Sequence, residues 1–152
     1  MLEAELQSFI DYFKGFADGH EQINFFLYGS VEKGIEHAKS FEAFEYPFLW
    51  LEQPTITPTN NGMGNMNMVF HAGVAILMHA PLDDRTAQES ASSNSLTIIY
   101  DLLKKFNHEN EDIIEIDLNN CSIEMVTQLW ADSHYGWRLE FKMTLNANKF
   151  LC

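Results

Sequence analysis

The stretch that decides the fold is MNMVFHAGVAILMHA, residues 66–80. Its even-numbered positions from Met66 to Met78 are all apolar, whereas most positions between them are small or polar. A period of two is typical of a β-strand with one buried face. Fifteen extended residues would span about 50 Å, but a compact domain of this length is only about 40 Å across. We therefore expect this strand to bend, with Gly73 as the candidate position, or to project beyond the core and need a partner.

The cleanest alternation is WRLEFKMTL (137–145), where odd positions are apolar and even positions are polar or charged. It predicts an antiparallel sheet with one covered face. The preceding DSHYG (132–136) is interpreted as a bend between strands, because Asp, Ser and Gly favour turns. On this interpretation His134→Ala should change stability and assembly little. Trp137→Ala should cost about 3–5 kcal/mol if that ring is buried.

Apolar residues at spacings of three and four predict two amphipathic helices. The first covers residues 2–16 and ends near Asp18 and Gly19. The second contains SLTIIYDLLKKF (95–106) and is expected to begin as early as Asp84.

Shorter segments complete the predicted sheet. INFFLYG (23–29) is apolar and β-rich. YPFLWLEQP (46–54) is bracketed by prolines, which favours an edge strand or one of limited pairing. TITPTNNGMGN (55–65) is rich in turn residues and is expected to be an exposed loop. The remaining predicted elements are a short helix over 30–41 and strands over 113–118 and 122–132.

Together these elements predict a single α+β domain over residues 1–152. The expected order is α-β-β-β-α-β-β-β. A mostly antiparallel sheet with one long strand would pack against the N-terminal helix and the central helix.

The formal net charge of −13 restricts the choice of partners. It argues against a protein that binds nucleic-acid phosphates or anionic membranes. Cys121 and Cys152 form neither a disulfide framework nor a CxxC pair, which favours a reducing compartment. The N-terminus lacks the basic region of a signal peptide, and no apolar run approaches the ~20 residues of a membrane span. We therefore expect a cytoplasmic location with no membrane partner.

The cluster Asp132-Ser133-His134 raises the hypothesis of a hydrolase site. Asp132 and His134 would lie on the same side of a strand, but Ser133 would point to the other side. A catalytic triad also needs a nucleophile held in an oriented, strained setting. The bend explains the cluster more simply, so we predict no catalytic residues.

No metal or cofactor site is predicted. His71 and His79 would lie about 27 Å apart on one strand, so they cannot share a zinc ion. DGHE (18–21) places its donors in a single loop, and NNGMGN (60–65) lacks the lysine of a phosphate loop. The methionines of the long strand follow core parity, so packing accounts for them.

The order of these elements resembles that of the tail-terminator and tail-completion proteins of long-tailed bacteriophages and their prophage relatives. The resemblance covers most of the chain and begins with YPFLWLEQP after an N-terminal helix, the long alternating strand and SLTIIYDLLKKF. It continues with a strand ending in Asp132, the step Gly136-Trp137-Arg138 and the alternating final strand.

The resemblance implies an α+β domain that assembles into a cyclic, heterologous ring, commonly of six subunits. Such a ring caps the tail tube and joins it to the head without catalysis. Its partners would be other copies of itself and other tail or head-tail connector proteins. It would reside in the cytoplasm during assembly and then in the virion tail. An acidic lumen would let DNA pass without binding it, because carboxylates repel phosphates.

For the contact between subunits we expect the projecting parts of Met66–Ala80 and the segment Thr55–Asn65. The candidate interface residues are Asn60, Met63, Asn65, Asn67, Val69, His71 and His79.

Two other classes of function remain open. One is a small-molecule-binding or isomerase-like cone fold, with His71 or Asp132 as the polar residue inside an apolar pocket. The other is an acidic cytoplasmic interaction protein, which would be a stable monomer with a concentrated acidic face. The aromatic residues that could line a ligand cavity are Phe9, Phe13, Phe16, Phe25, Phe26 and Trp137.

Overall fold

The structure, a computed structural model, describes residues 1–29, 42, 44–128 and 134–151. The helix predicted over 30–41 and the residues Asp132 and Ser133 lie outside the described residues. The α+β fold is confirmed. Its helices are α1 (Leu6–Gly19), α2 (Arg85–Glu109) and α3 (Asn148–Leu151), with a 3-10 turn at Leu118–Asn120. Its strands are β1 (Phe25–Gly29), β2 (Phe48–Glu52), β3 (Thr55–Asn60), β4 (Met66–His79), β5 (Glu115–Ile116), β6 (Ser122–Gln128) and β7 (His134–Asn146).

Two long strands form the middle of the sheet. β4 and β7 are antiparallel and pair without a break from Asn67 with Asn146 to His79 with His134. On its other side β4 pairs with β2 and β3, which lie end to end. β7 pairs in the same way with β5 and β6. β1 is parallel to β2, whereas the other strand pairs are antiparallel.

The long strand does not need an external partner. β7 is nearly as long as β4 and pairs with it at every position but Met66. The length of the strand therefore does not by itself require a partner outside this chain, because β4 and β7 pair with each other from Asn67 to His79.

The segment Thr55–Asn60 is a strand rather than a loop, which adds a fourth strand before the central helix. Leu51 pairs with Val74 and Thr55 pairs with His71, so three residues of one strand face two of β4. This extra residue is a β-bulge. The bulge lies between β2 and β3 and includes Pro54. Proline has no N–H to donate, but no regular strand pair requires one at this position.

The expectation that the segment 46–54 forms an edge strand is also wrong. β2 lies between β1 and β4 and pairs with both. The two prolines that suggested an edge flank the paired residues, since Pro47 precedes Phe48 and Pro54 follows Glu52.

The main core lies between one face of the sheet and the two long helices. Helix α2 begins where the sequence predicted, because the Asp84 side chain accepts a hydrogen bond from the Ala87 amide at 2.9 Å and caps the first turn. Burying each large apolar side chain of this core contributes about 1.5–3 kcal/mol. The fully buried members include Phe9, Phe13, Leu49, Leu51, Val74, Ile76, Ile98, Leu102, Phe106, Leu139, Phe141 and Met143.

The opposite face of the sheet has an apolar part and a charged part. A second core of Leu27, Phe48, Trp50, Ala75 and Leu77 covers the end near His79. Ionisable side chains from β2, β4, β6 and β7 occupy the middle, and they are described below.

His134 is the first residue of β7 and is fully buried, so its predicted place in an exposed turn is wrong. Residues 129–133, on which the rest of the predicted bend falls, lie outside the described part of the chain.

Candidate functional site

Among the strands that the structure describes, β3 is exposed at every residue, and together with the loop that follows it forms the hairpin arm Thr55–Asn65, which we call the arm. Each residue of β3 is exposed, as is each residue of the loop that follows it. Two apolar side chains face solvent here: Ile56 is 47% exposed and Met63 is 84% exposed. Met63 is more exposed than any other large apolar side chain in the described part of the chain, so we take the arm as a candidate contact surface.

Local hydrogen bonds define the conformation of the arm's tip. The Asn60 side chain accepts from the Gly62 amide and the Asn61 side chain from the Met63 amide, both at 2.9 Å. Gly62 and Gly64 adopt φ values of 75° and 86°, which residues with a Cβ rarely take. The Asn and Gly residues that suggested a loop therefore build a defined tip that presents Met63 outward.

The base of the arm is tied to the C-terminal segment. The Asn148 side chain accepts a hydrogen bond from the Met66 amide at 2.7 Å, and the Ala147 amide donates to the Met66 carbonyl at 2.9 Å. Phe150 and Leu151 of α3 are each about half exposed near this base. The arm is therefore fixed at its base while its tip is open to solvent.

The arm lies within a long charge-free stretch that the sequence analysis overlooked. No Asp, Glu, Lys or Arg occurs from Gln53 to Leu82, although such residues make up 20% of the chain. The absence is expected for the buried part of β4, but the arm is exposed. Interface cores are depleted of charged residues, so this gap in the charge pattern is the sequence signal that marks the arm.

The seven predicted interface residues fall into separate places. Asn60, Met63 and Asn65 lie together in the arm. Asn67 and Val69 are half-buried on β4 next to the arm. The structure does not bring the two histidines into this group: His71 belongs to the charged cluster in the middle of the sheet, and His79 lies at the far end of β4.

The charged cluster, which we call the ionic cluster, is centred on Arg138 of β7. Its guanidinium donates to Glu52 at 2.6 and 3.4 Å, to Glu140 at 3.2 Å and to Glu124 at 3.4 Å. Glu140 also accepts a hydrogen bond from His71 at 2.7 Å. The hydrogen bond with Glu52 raises the pKa of Arg138 against the opposing effect of burial. Hydrogen bonds from His71 and Arg138 lower the pKa of Glu140.

Gly73 allows the ionic cluster to form. The pair Glu52–Arg138 joins β2 to β7 across the backbone of β4, directly over this glycine. A methyl group at Gly73 would overlap both the Glu52 carboxylate and the Arg138 guanidinium. The structure thus shows a close approach of two side chains at Gly73, whereas the bend predicted there stays a prediction. The cluster links side chains of β2, β4, β6 and β7 through one guanidinium, which is shared by three carboxylates.

The ligand-binding alternative expected a polar residue inside an apolar pocket. His71 instead lies beside Glu140 with 40% of its side chain exposed, and Asp132 is outside the described residues. All of the aromatic residues proposed to line a cavity, except Phe25, lie in or against the main core. Phe9 and Phe13 pack in the main core with ring centroids 5.2 Å apart, whereas Phe25 packs against the second core on the other face.

His134 forms a hydrogen bond with Tyr46. The Tyr46 hydroxyl lies 2.8 Å from its Nδ1, and burial raises the pKa of Tyr46 to about 12. A neutral hydroxyl therefore pairs with a buried imidazole at neutral pH. The proposed contact with Asp132 falls outside the described residues.

The other candidate metal donors are placed as follows. The His20 ring lies 2.8 Å from the Asp101 carboxylate on α2. This contact ties the DGHE segment at the end of α1 to helix α2. Within residues 1–29, 42, 44–128 and 134–151, no group of three or more His, Cys, Asp or Glu side chains is arranged to hold a metal ion. In the same residues, no helix is both long and apolar enough to cross a membrane.

Comparison with models of protein families finds none that matches this sequence, and comparison with curated proteins finds no significant match. The functional proposal therefore rests on the sequence and the structure.

Proposed function

We propose that this protein is a non-enzymatic structural subunit of a phage or prophage tail. Copies of it assemble into a ring that caps the tail tube and joins it to the head. The observation that carries the proposal is the arm, because an exposed, uncharged hairpin with a solvent-exposed methionine stands on a protein of net charge −13.

Charge explains why the arm suits contact between copies. Two subunits that meet through average surface would bring carboxylates together, at a cost that grows with net charge. Contact through the arm avoids this cost, since the arm contributes no carboxylate. The acidic remainder suits a channel for DNA, because it repels the phosphates of a passing duplex.

The same charge makes assembly depend on salt. The Debye length falls from about 10 Å at 0.1 M to about 3 Å at 1 M ionic strength. Repulsion between acidic subunits is therefore weaker at high salt, and the ring should form at lower protein concentration there.

Light scattering over a concentration series at both salt levels tests the proposal. We expect a species whose mass is a whole multiple of the 17.5 kDa chain, six in the simplest case, and rings in electron micrographs. A monomer throughout the series would contradict self-assembly and favour the acidic interaction protein instead. Capsid and tail genes beside the gene would support the tail assignment, and metabolic genes would contradict it.

A further inference from the structure

A second uncharged surface lies at the opposite end of β4 from the arm. It is a groove of about 350 Å³ between the end of β4, the first half of α2 and the segment that precedes β2. No lining residue in the described part of the chain is Asp, Glu, Lys or Arg. We call it the groove, and the residues that matter here are Tyr46, Pro47, Met78, His79, Ser90 and Asn94.

The groove is large enough to receive a side chain of another molecule. Its volume falls at the lower end of the roughly 300–1,000 Å³ typical of binding pockets. The α2 wall is lined by small and polar side chains at helical spacing, including exposed Ser90 and Asn94. The opposite wall offers the half-buried side chains of Met78 and Pro47.

The arm of the same chain cannot fill this groove. The arm leads into β4 at Met66, whereas the groove lies at Met78 near the other end of this strand. Twelve residues of an extended strand separate these two positions by about 41 Å. β3 is paired to β4 over its whole length, so the arm is held at its own end. An occupant with the properties of the arm must come from another molecule.

We infer that the arm of one copy of this chain docks in the groove of the next, with Met63 as the inserted side chain; this inference rests on the proposed self-assembly. Methionine is flexible and fills irregular apolar spaces. Both surfaces lack formal charge, so they can meet without opposing carboxylates.

This contact explains how the predicted interface residues can lie at two ends of one molecule. Contact between unlike surfaces is heterologous and leads to a closed ring or an open filament. Asn60, Met63 and Asn65 belong to the arm, and His79 belongs to the groove. Each subunit would use its arm on one neighbour and its groove on the other.

The test uses one charged variant on each surface of the full chain. Met63→Glu disables the arm and Asn94→Glu disables the groove, with Ser90→Glu as a second groove variant. Ser93→Glu is the matched control, because Ser93 is exposed on the same helix but does not line the groove. Asn94→Gln keeps the groove uncharged. Circular dichroism and thermal unfolding establish that each variant folds.

Each variant has an expected result when its mass is measured against concentration. Both single-surface variants should need at least tenfold more protein than wild type to assemble. Ser93→Glu and Asn94→Gln should assemble like wild type. A mixture of Met63→Glu and Asn94→Glu should form a dimer and nothing larger, because only one intact arm and one intact groove can meet.

The outcomes separate this inference from the proposed function. An assembling wild type whose Asn94→Glu and Ser90→Glu variants assemble equally well would overturn the groove alone. A mixture that stays monomeric, or one that forms complete rings, would do the same. A wild type that never assembles would overturn both.

Discussion

The two ends of β4 are paired alike but covered differently. From Val74 to Leu77 the strand is at most 5% exposed, because the helices cover one face and the second core covers the other. From Met66 to Val69 the residues are half-buried, and the neighbouring strand β3 is exposed throughout. Both ends pair with β7 in one unbroken register. The hydrogen-bonded pairing with β7 is therefore the same at both ends of β4. The two ends differ in how far other side chains cover them, and this separates the end that stabilises the fold from the end that is available for contact.

The sequence of β4 changes character where the coverage changes. VAIL (74–77) is continuously apolar, as expected of a strand buried on both faces. MNMV (66–69) includes a polar residue, as expected of a partly solvated strand. We expect substitutions at the covered end to change the free energy of unfolding and substitutions at the arm to change assembly.

The largest effect on folding should come from Gly136→Ala at the covered end. The new methyl group would overlap the carbonyl oxygen of Ile76 on the paired strand, and backbone atoms cannot move aside cheaply. We expect a loss of about 3 kcal/mol in the free energy of unfolding, measured by urea denaturation.

Gly15→Ala is the control for that substitution. Gly15 lies on the exposed side of α1, and a methyl group there would contact nothing. Alanine should stabilise this helix by about 0.5–1 kcal/mol. Equal effects of the two substitutions would show that the close approach at Gly136 is unimportant.

His134→Ala should also destabilise the covered end, contrary to the expectation from the sequence. The substitution removes the hydrogen bond between the His134 ring and the Tyr46 hydroxyl, and it removes a fully buried ring. A loss of about 1–3 kcal/mol is expected. A double-mutant cycle with Tyr46→Phe measures the coupling between the two side chains, and zero coupling would contradict the pairing.

Glu52→Gln should have a smaller effect, of about 1–2 kcal/mol, because it weakens a charged hydrogen bond that is still partly exposed. Glu124→Gln is the matched control. Glu124 contacts the same guanidinium at 3.4 Å but is 69% exposed, so its removal should cost less than about 0.5 kcal/mol. If the control were the more costly substitution, the ionic cluster would not join β2 to β7 as described.

The smallest effect on folding should come from Ile56→Ser in the arm. Ile56 is 47% exposed, so the free energy of unfolding of the monomer should change by less than about 0.5 kcal/mol. Assembly measured by light scattering should nevertheless weaken. A large loss of monomer stability would show that the arm belongs to the folding core.

Elements that depend on local pattern could be predicted from the sequence. The alternation in β4 and β7 and the cap at Asp84 gave the long strands and the start of α2. β3 was missed because its Thr, Pro and Asn residues resemble a loop, and it is a strand only through pairing with β4. The position of β2 inside the sheet depends on its parallel partner β1, which no local signal reveals.

The two parts of the candidate site, the arm and the groove, also differ in how far the sequence predicts them. The exposure of the arm could be predicted because it is one continuous segment of turn-forming residues, although its strand could not. The groove could not, since its walls come from three segments that meet only in the folded chain. The burial of His134 was hidden for a similar reason, as its partner Tyr46 is 88 residues away.

Hydrogen exchange measured at low and high protein concentration tests the central claim most directly. Amides of β2 should be protected at both concentrations, because β2 is covered and paired on both sides. Amides on the unpaired edge of β3, which point away from β4, should exchange rapidly in the dilute protein and become protected as copies assemble. Protection of the arm that does not change with concentration, while the mass of the particle rises, would contradict the account.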